Sequence, residues 1–210
     1  MENKRRTFLR LLSAASISVA ASAVSVQAAE KQKDEGPMDV MTALKTRRSV
    51  RAYTNEPVSD EDLQLILEAA MQAPSAANEQ PWELVVIRNP DILAKIGSIN
   101  SYAAYASNAP MAIMVCLNLG KEKISGMGII DVNLAAENIL LAAHALGLGA
   151  VYTGVYPIKD RMSKFQELLG LPQNVLPIGL IVMGHPKLNV RKTEDRFNKE
   201  AVHINKWQGK

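Results

Sequence analysis

The sequence predicts a single domain in which helices flank a β-sheet, and two observations support this prediction. The chain has 210 residues, of which 48% are hydrophobic, enough to bury one sizeable core. Apolar stretches typical of strands alternate with segments of helical periodicity, and two helices come first. We find no internal repeat that marks a second domain. The directions of the strands are not evident from these patterns.

Two helices open the predicted domain. Residues 39–46 are expected to form a short helix because their apolar side chains share one face. Residues 58–73 predict a longer helix, in which Ser59 as N-cap and Asp62 three residues later make a capping box. Pro74 is expected to end this helix.

The first two predicted strands are joined by a short helix. Residues 82–88 are strand-like, and an Asn-Pro turn leads from them into a short helix at residues 91–96. Residues 111–117 are apolar on both faces, which predicts a strand in the centre of the sheet.

The rest of the domain alternates helix and strand. Residues 131–146 are rich in Ala and Leu and predict a buried helix. A second buried strand at residues 149–156 precedes an amphipathic helix at 159–169, and residues 176–186 form the last strand. The charged remainder lacks the spacing of a packed helix and is expected to form an extended arm.

The N-terminal residues 1–29 resemble an export signal. A basic start precedes an apolar run too rich in Ser and Ala to indicate a membrane span, and small residues follow it. Residues 5–10, RRTFLR, resemble a twin-arginine signal, which serves the export of folded proteins. We therefore predict a periplasmic or otherwise exported protein with a linker at residues 30–37 and the folded domain at 38–210. Cleavage of the signal and its retention as an anchor both stay open.

The charge of the exported part argues against a nucleic-acid partner. The chain has 24 basic and 21 acidic residues, of which residues 1–29 contain four and one, so that 20 of each remain. A nucleic-acid-binding protein needs a positive field, which this balance does not provide. No stable insertion into a membrane is expected after removal of the signal. Cys116 is the single cysteine, and its apolar neighbours predict a buried, unreactive thiol.

A basic cluster between the first two helices is a candidate anion site. The stretch TRRSVRAY contains Arg47, Arg48, Ser49 and Arg51. Guanidinium groups bind phosphate in a bidentate manner, a Ser hydroxyl adds a neutral donor, and backbone N–H groups beside helix ends favour the same anion. The alternative interpretation is a solvated basic turn.

A second polar motif lies between the second helix and the first strand. In APSAANEQPWELVVI, the side chains of Ser75, Asn78 and Gln80 can hydrogen-bond a flat heterocycle, while Pro74 and Pro81 stiffen the loop. An Asx-type turn without a ligand is the alternative.

Taken together with GHPKLNVRKTEDRF near the C-terminus, these motifs resemble the FMN-dependent nitroreductase family. The resemblance covers residues 39–207. It implies an α+β sandwich with a central mixed or antiparallel sheet flanked by helices. It also implies an intertwined homodimer that binds two FMN molecules at the subunit interface, with arms that wrap the partner.

The resemblance also implies roles for individual residues. The start of the basic cluster holds the ribityl phosphate, Arg51 lies toward the pyrimidine edge of the flavin, and the C-terminal arm returns Arg196 or Lys192 to the phosphate. The other subunit contributes the second motif to the same site. A further backbone segment faces the reactive edge of the flavin. The cofactor-binding candidates are Arg47, Arg48, Ser49, Arg51, Pro74, Ser75, Ala76, Asn78, Thr153, Gly154, Val155, Lys192 and Arg196.

The predicted activity is a ping-pong transfer of electrons from NAD(P)H through FMN to nitroaromatics, quinones or similar acceptors. The flavin supplies the redox chemistry, so no side chain is needed as general acid or base. Arg51 is a candidate for stabilising negative charge on the reduced flavin. The three histidines do not form a metal-ligand pattern, and no metal is predicted. Reductive dehalogenation, with residues 118–128 as a lid, and non-catalytic flavin binding are the alternatives.

Overall fold

A computed structural model of the chain describes residues 38–188 and 194–209. The predicted export signal and linker lie outside these residues, as does Lys192. Among the described residues, no helix combines the length and the apolar character needed to span a bilayer.

The centre of the fold is a four-stranded sheet whose neighbouring strands are all antiparallel. The order in the sheet is β1, β2, β4, β3. The inner position of β2 explains why its sequence is apolar on both faces, and the prediction of a central strand is confirmed. The strands are β1, Trp82–Ile87; β2, Met111–Asn118; β3, Gly149–Gly154; and β4, Val175–Gly184.

The segment predicted as a second buried strand is an edge strand, β3. Its first half is nevertheless buried, because the chain after the first helix lies along its outer edge. Ser49 forms an isolated parallel bridge to Ala150, and the Val50 N–H donates to the Ala150 carbonyl at 3.0 Å. A Cβ on Gly149 would come within 2.6 Å of the Val50 side chain, so this close approach requires glycine. The basic cluster therefore covers an edge that would otherwise be open to pairing.

Five helices in residues 38–188 accompany the sheet, and most match the sequence patterns. They are α1, Val40–Thr46; α2, Asp60–Met71; α3, Pro90–Ile99; α4, Gly128–Ala145; and α5, Lys159–Leu169. Ser59 caps α2 as predicted, since its hydroxyl accepts from the Asp62 N–H at 2.9 Å. Short 3₁₀ segments at residues 76–78, 101–108 and 199–201 were not predicted.

Helix α4 begins three residues before the predicted start at Asp131. The reason is a tertiary cap: the Glu122 carboxylate accepts from the Gly126 N–H at 3.0 Å and from the Gly128 N–H at 2.9 Å. An acidic group near the first N–H groups of a helix satisfies their free donors. No N-cap residue in the sequence beside Gly128 signals this start.

Hydrophobic cores lie on both faces of the sheet, which gives the predicted α+β sandwich. Helices α2 and α4 cover one face, and α3 and α5 cover the other. Strand β2 serves both, because Ile113 and Val115 point into the first core while Met114 and Cys116 point into the second. Burial raises the pKa of the Cys116 thiol to about 12, so this thiol is neutral at physiological pH. The predicted buried thiol is confirmed.

Candidate functional site

The basic cluster begins directly after helix α1, and a contact with helix α4 fixes the position of this junction. Thr46, the last residue of α1, places its hydroxyl 2.7 Å from the Thr42 carbonyl and 2.8 Å from His144 Nε2 on α4. Arg47 then adopts an extended conformation, and the chain crosses to the edge of β3. The cluster is therefore held at both ends, by α4 and by the sheet.

Arg48 is the most informative residue of the cluster, because most of its guanidinium is withdrawn from water. Its side chain is 13% exposed. Nη1 donates to the carbonyls of Lys45 at 3.0 Å and Arg47 at 2.7 Å. Nε and Nη2 are buried without a hydrogen-bond partner among the described residues, and the Glu194 carboxylate lies 4.0 Å from Nε. Buried donors of a cation are costly to leave unpaired, so the geometry calls for an anion at this point.

A cleft of about 530 Å³ brings the C-terminal arm to this cluster. Arg196 lines the cleft together with Arg47 and Arg48, three of the residues that the resemblance assigns to the phosphate end of the site. Arg47 Nε lies 3.6 Å from Glu137, and Arg196 Nη2 lies 3.0 Å from Glu194. The lining residues are Leu44, Lys45, Arg47, Arg48, Glu194, Asp195, Arg196 and Phe197. Four cations against two carboxylates favour an anionic ligand.

Ser49 and Arg51 do not line this cleft. Both residues are exposed. Ser49 forms the bridge to Ala150 on β3, whereas Arg51 lies two residues before the buried Tyr53, whose hydroxyl donates to the Val182 carbonyl at 3.0 Å. In the part of the chain that the structure describes, Arg51 has no ion pair. Its charge is therefore available to a ligand on that side of the strand edge.

The second motif forms a tight loop, residues 74–80, in an unusual backbone conformation. Ala77, Asn78 and Gln80 have φ angles of 47°, 56° and 49°. Non-glycine residues rarely adopt positive φ, and such conformations cluster at functional sites. The loop is not the Asx-type turn considered above, because the Gln80 N–H donates to the Ser75 hydroxyl at 3.0 Å instead of to Asn78. Pro74 and Asn78 are exposed, and Ser75 and Ala76 are half-buried.

A buried carboxylate holds this loop, and sequence analysis did not select it. Asp131, in the first turn of α4, is 2% exposed. Both of its carboxylate oxygens lie 3.2 Å from the Ala76 nitrogen, which donates to them. The signal in the sequence was an acidic residue in the first turn of an Ala- and Leu-rich helix, but the pattern did not identify its partner.

The third predicted segment, residues 153–155, is anchored by side chains from two other segments. The Thr153 and Tyr105 hydroxyls are hydrogen-bonded at 2.6 Å. The Gly154 carbonyl accepts from Arg161 Nη1 at 2.8 Å and from Asn100 Nδ2 at 3.4 Å. Val155 is buried, and its N–H donates to the Ile178 carbonyl at 3.0 Å. Only Thr153 and Gly154 therefore lie at an accessible surface.

The first and second motifs do not meet within one chain. The loop 74–80 contacts α4 at Asp131, whereas Arg47 contacts it at Glu137. Six helical residues span about 9 Å along the axis. The loop also contributes no residue to the cleft that Arg48 and Arg196 line.

Comparisons with known proteins agree with this geometry. The model of the nitroreductase family matches residues 44–104 and 100–185. A protein of Methanothermobacter thermautotrophicus, provisionally named NADH dehydrogenase/NAD(P)H nitroreductase, is 46% identical over 81% of this chain and 88% of its own length. An FMN reductase [NAD(P)H] of Bacillus subtilis is 30% identical over 79% of this chain and 72% of its own.

Solved structures show the same fold. The FMN-dependent nitroreductase of Clostridium difficile superposes with a TM-score of 0.74 at 28% identity, covering 80% of this chain and 100% of its own. The family model spans well over half of the chain, and the sheet order, the helices on both faces and the basic cleft accompany it. The chain belongs to the nitroreductase family.

Proposed function

We propose that this protein is an FMN-dependent oxidoreductase that passes electrons from a reduced nicotinamide to flat, electron-poor acceptors such as nitroaromatics or quinones. Membership of the family makes it an oxidoreductase enzyme. The observation that carries the cofactor assignment is the buried guanidinium of Arg48 at a basic cleft, whose Nε and Nη2 have no hydrogen-bond partner among the described residues. Relatives named FMN reductase and FMN-dependent nitroreductase support the same cofactor.

The cleft fits the phosphate end of FMN. A phosphate monoester carries nearly two negative charges at neutral pH and offers three acceptor oxygens. Nε and Nη2 of Arg48 supply three N–H donors without a hydrogen-bond partner among the described residues, and Arg47 and Arg196 add positive charge at the same cleft. Ser49 does not line this cleft and is left out of the assignment, and Lys192, the alternative to Arg196, lies outside the described residues.

The ring end is assigned to exposed groups on the strand edge and the loop beyond it. When bound, FMN supplies the hydride chemistry. Arg51 carries a charge without an ion pair among the described residues and would stabilise negative charge on a reduced ring. Thr153 and Gly154 present an accessible backbone that Tyr105 and Arg161 hold in place.

A homodimer would bring the second motif to this ring. Helix α4 packs one side against α2 and the sheet, and the opposite side exposes Ile130 (52%) and Leu134 (41%). Leu141 continues the same face about two turns after Leu134, next to an apolar hollow of about 430 Å³ between α1, α2 and α4. Burying this face against a second copy would carry each loop 74–80 to the other subunit's cofactor, with Pro74, Ser75, Ala76 and Asn78 in contact range.

No observation favours reductive dehalogenation. The segment 118–128, considered as a lid, is a closed turn. The Glu79 carboxylate accepts from the N–H groups of Lys123 at 2.8 Å and Ile124 at 3.1 Å, and Glu122 closes the other side. The segment is thus tied to the second motif and to α4.

Purified wild-type protein is expected to bind FMN, to bleach anaerobically with NADH or NADPH, and to regain its colour with a nitroaromatic acceptor. Arg48→Ala should weaken FMN binding about ten- to hundred-fold, because charge-assisted hydrogen bonds to the phosphate are lost. The measurement is a fluorescence titration of the apoprotein with FMN. Arg88→Ala is the control, since Arg88 pairs with Asp60 on the exposed start of α2. Equal affinities in all three proteins would contradict the phosphate assignment.

Arg51→Ala is expected to lower the two-electron reduction potential of the bound flavin by tens of millivolts while leaving the pigment bound. The reason is that a cation near the ring favours the reduced, negatively charged form. For a two-electron couple, about 30 mV corresponds to 1.4 kcal/mol. Anaerobic titration against a reference dye measures the potential. Arg51→Lys keeps the charge, so its potential should stay close to that of the wild type. An unshifted potential in the alanine variant would refute the assignment.

Leu134→Glu is expected to weaken dimerisation by about two orders of magnitude or more, because an unpaired carboxylate would be desolvated at the interface. Sedimentation velocity over a range of concentrations measures the association, and the absorbance of bound flavin should fall with the dimer. Leu119→Glu is a matched control, because Leu119 is 42% exposed in the turn after β2. A stable, flavin-free monomer in the wild type would count against the dimeric site.

We also propose that the protein is exported after folding with its cofactor, because the twin-arginine-like residues 5–10 precede a domain that binds FMN noncovalently. In a bacterial host, the full-length chain should deliver FMN-loaded protein to the periplasm. Replacing Arg5 and Arg6 together by Lys preserves the charge and should retain the yellow protein in the cytoplasm. Arg10→Lys is the control. Export of the double variant at the wild-type level would exclude this route.

A further inference from the structure

Asp131 is the only fully buried acidic residue in the described part of the chain. Its carboxylate accepts from the Ala76 N–H through both oxygens, at 3.2 Å each. The bond joins the first turn of α4 to a loop 55 residues earlier in the chain. A charged group is costly to bury, so its placement against a single loop amide requires an explanation beyond packing.

The loop leaves few of its own polar groups free. The Ala76 N–H is committed to Asp131, and the Ala76 carbonyl accepts from the Glu79 N–H at 3.0 Å. The Ser75 carbonyl accepts from the Asn78 N–H at 3.1 Å. The carboxamide NH₂ of Asn78, in contrast, is exposed and donates no hydrogen bond within the described residues. The side-chain NH₂ of Asn78 is therefore available to a ligand, whereas the backbone N–H and carbonyl of Ala76 are used in hydrogen bonds that hold the loop.

This presentation depends on a backbone that would relax without an anchor. Ala77 and Asn78, the two residues after Ala76, both have left-handed φ angles. Alanine adopts this conformation only when its surroundings enforce it, because the Cβ approaches the following carbonyl. The carboxylate of Asp131 fixes the amide immediately before the pair, and a charge-assisted bond is about twice as strong as a neutral one.

We propose that Asp131 is a positioning residue for the flavin. Acting through the Ala76 N–H, it holds the loop 74–80 in the conformation that presents the Asn78 carboxamide to the ring bound in the other subunit. This inference rests on the proposed FMN-dependent function and adds a residue to its site.

Two variants at Asp131 separate the loss of the hydrogen bond from the loss of the charge. Asp131→Leu removes the acceptor and should weaken FMN binding about ten-fold, since a buried N–H is left unpaired. Asp131→Asn keeps an acceptor oxygen and should rescue most of that loss, with an effect of about three-fold or less, although the bond is weaker. Visible circular dichroism of the bound flavin should change in the leucine variant and return in the asparagine variant. Asp160→Asn, an exposed carboxylate paired with Lys164 on α5, is the control.

Hydrogen exchange at the Ala76 amide, measured by NMR on protein without added flavin, tests the anchor itself. Exchange should accelerate several-fold in Asp131→Asn and further in Asp131→Leu, while the thermal midpoint of the asparagine variant stays near that of the wild type. Should the leucine variant fail to fold, the asparagine variant alone decides, and unchanged exchange there would overturn the proposal. Unchanged affinity and dichroism in yellow, folded variants would also overturn it. A wild type that binds no FMN would instead refute the proposed function.

Discussion

Helix α4 fixes the relative positions of the segments that make up the site. Its apolar residues fill the core between α2 and the sheet, so the helix itself cannot move without opening that core. Almost every polar side chain along it contacts a different segment. These contacts are Asp131 to Ala76, Asn133 to Tyr152, Glu137 to Arg47, Asn138 to Ala69 and His144 to Thr46. A rigid element that carries several anchors holds functional loops more precisely than the loops could hold one another.

Arg48 shows how this rigidity is used. Two of its donors are bonded to carbonyls at the end of α1, which fixes the plane of the guanidinium before any ligand arrives. The remaining donors are desolvated and have no hydrogen-bond partner in the part of the chain that the structure describes, where the Glu194 carboxylate lies 4.0 Å from Nε. An anion that binds there relieves this penalty and needs little reorganisation of the site. Because the guanidinium is already held in place, little of the binding free energy is lost to ordering the site. A ligand that binds only the folded state also raises the free energy of unfolding.

The sequence predicted the elements well because most of them depend on local signals. Ser59 caps α2, and the uniform apolarity of residues 111–117 identified a strand between two others. Where contacts from outside an element decided, the prediction was incomplete. The start of α4 depends on Glu122, which lies outside the helix, and the burial of β3 depends on the segment that contains Ser49. Neither contact leaves a periodic pattern in the sequence.

The difference between local signals and contacts with other segments also explains which site residues could be predicted. Guanidinium chemistry made Arg48 a candidate, the family resemblance added Arg196, and both line one cleft in the structure. Asp131 and Arg161 were missed because their partners are backbone atoms, the Ala76 N–H and the Gly154 carbonyl. Any residue except proline offers that N–H, so the identity of the residue in the loop does not reveal the contact.

This backbone anchoring has a consequence for the loop 74–80. Position 76 of this loop is Ala, whose side chain has no polar group. A hydroxyl there would be one more polar group to satisfy, whereas the bond to Asp131 needs only the amide. The methyl group is therefore compatible with the site, provided that the carboxylate remains. The contact therefore constrains the position of a single N–H and not the side chain that residue 76 carries.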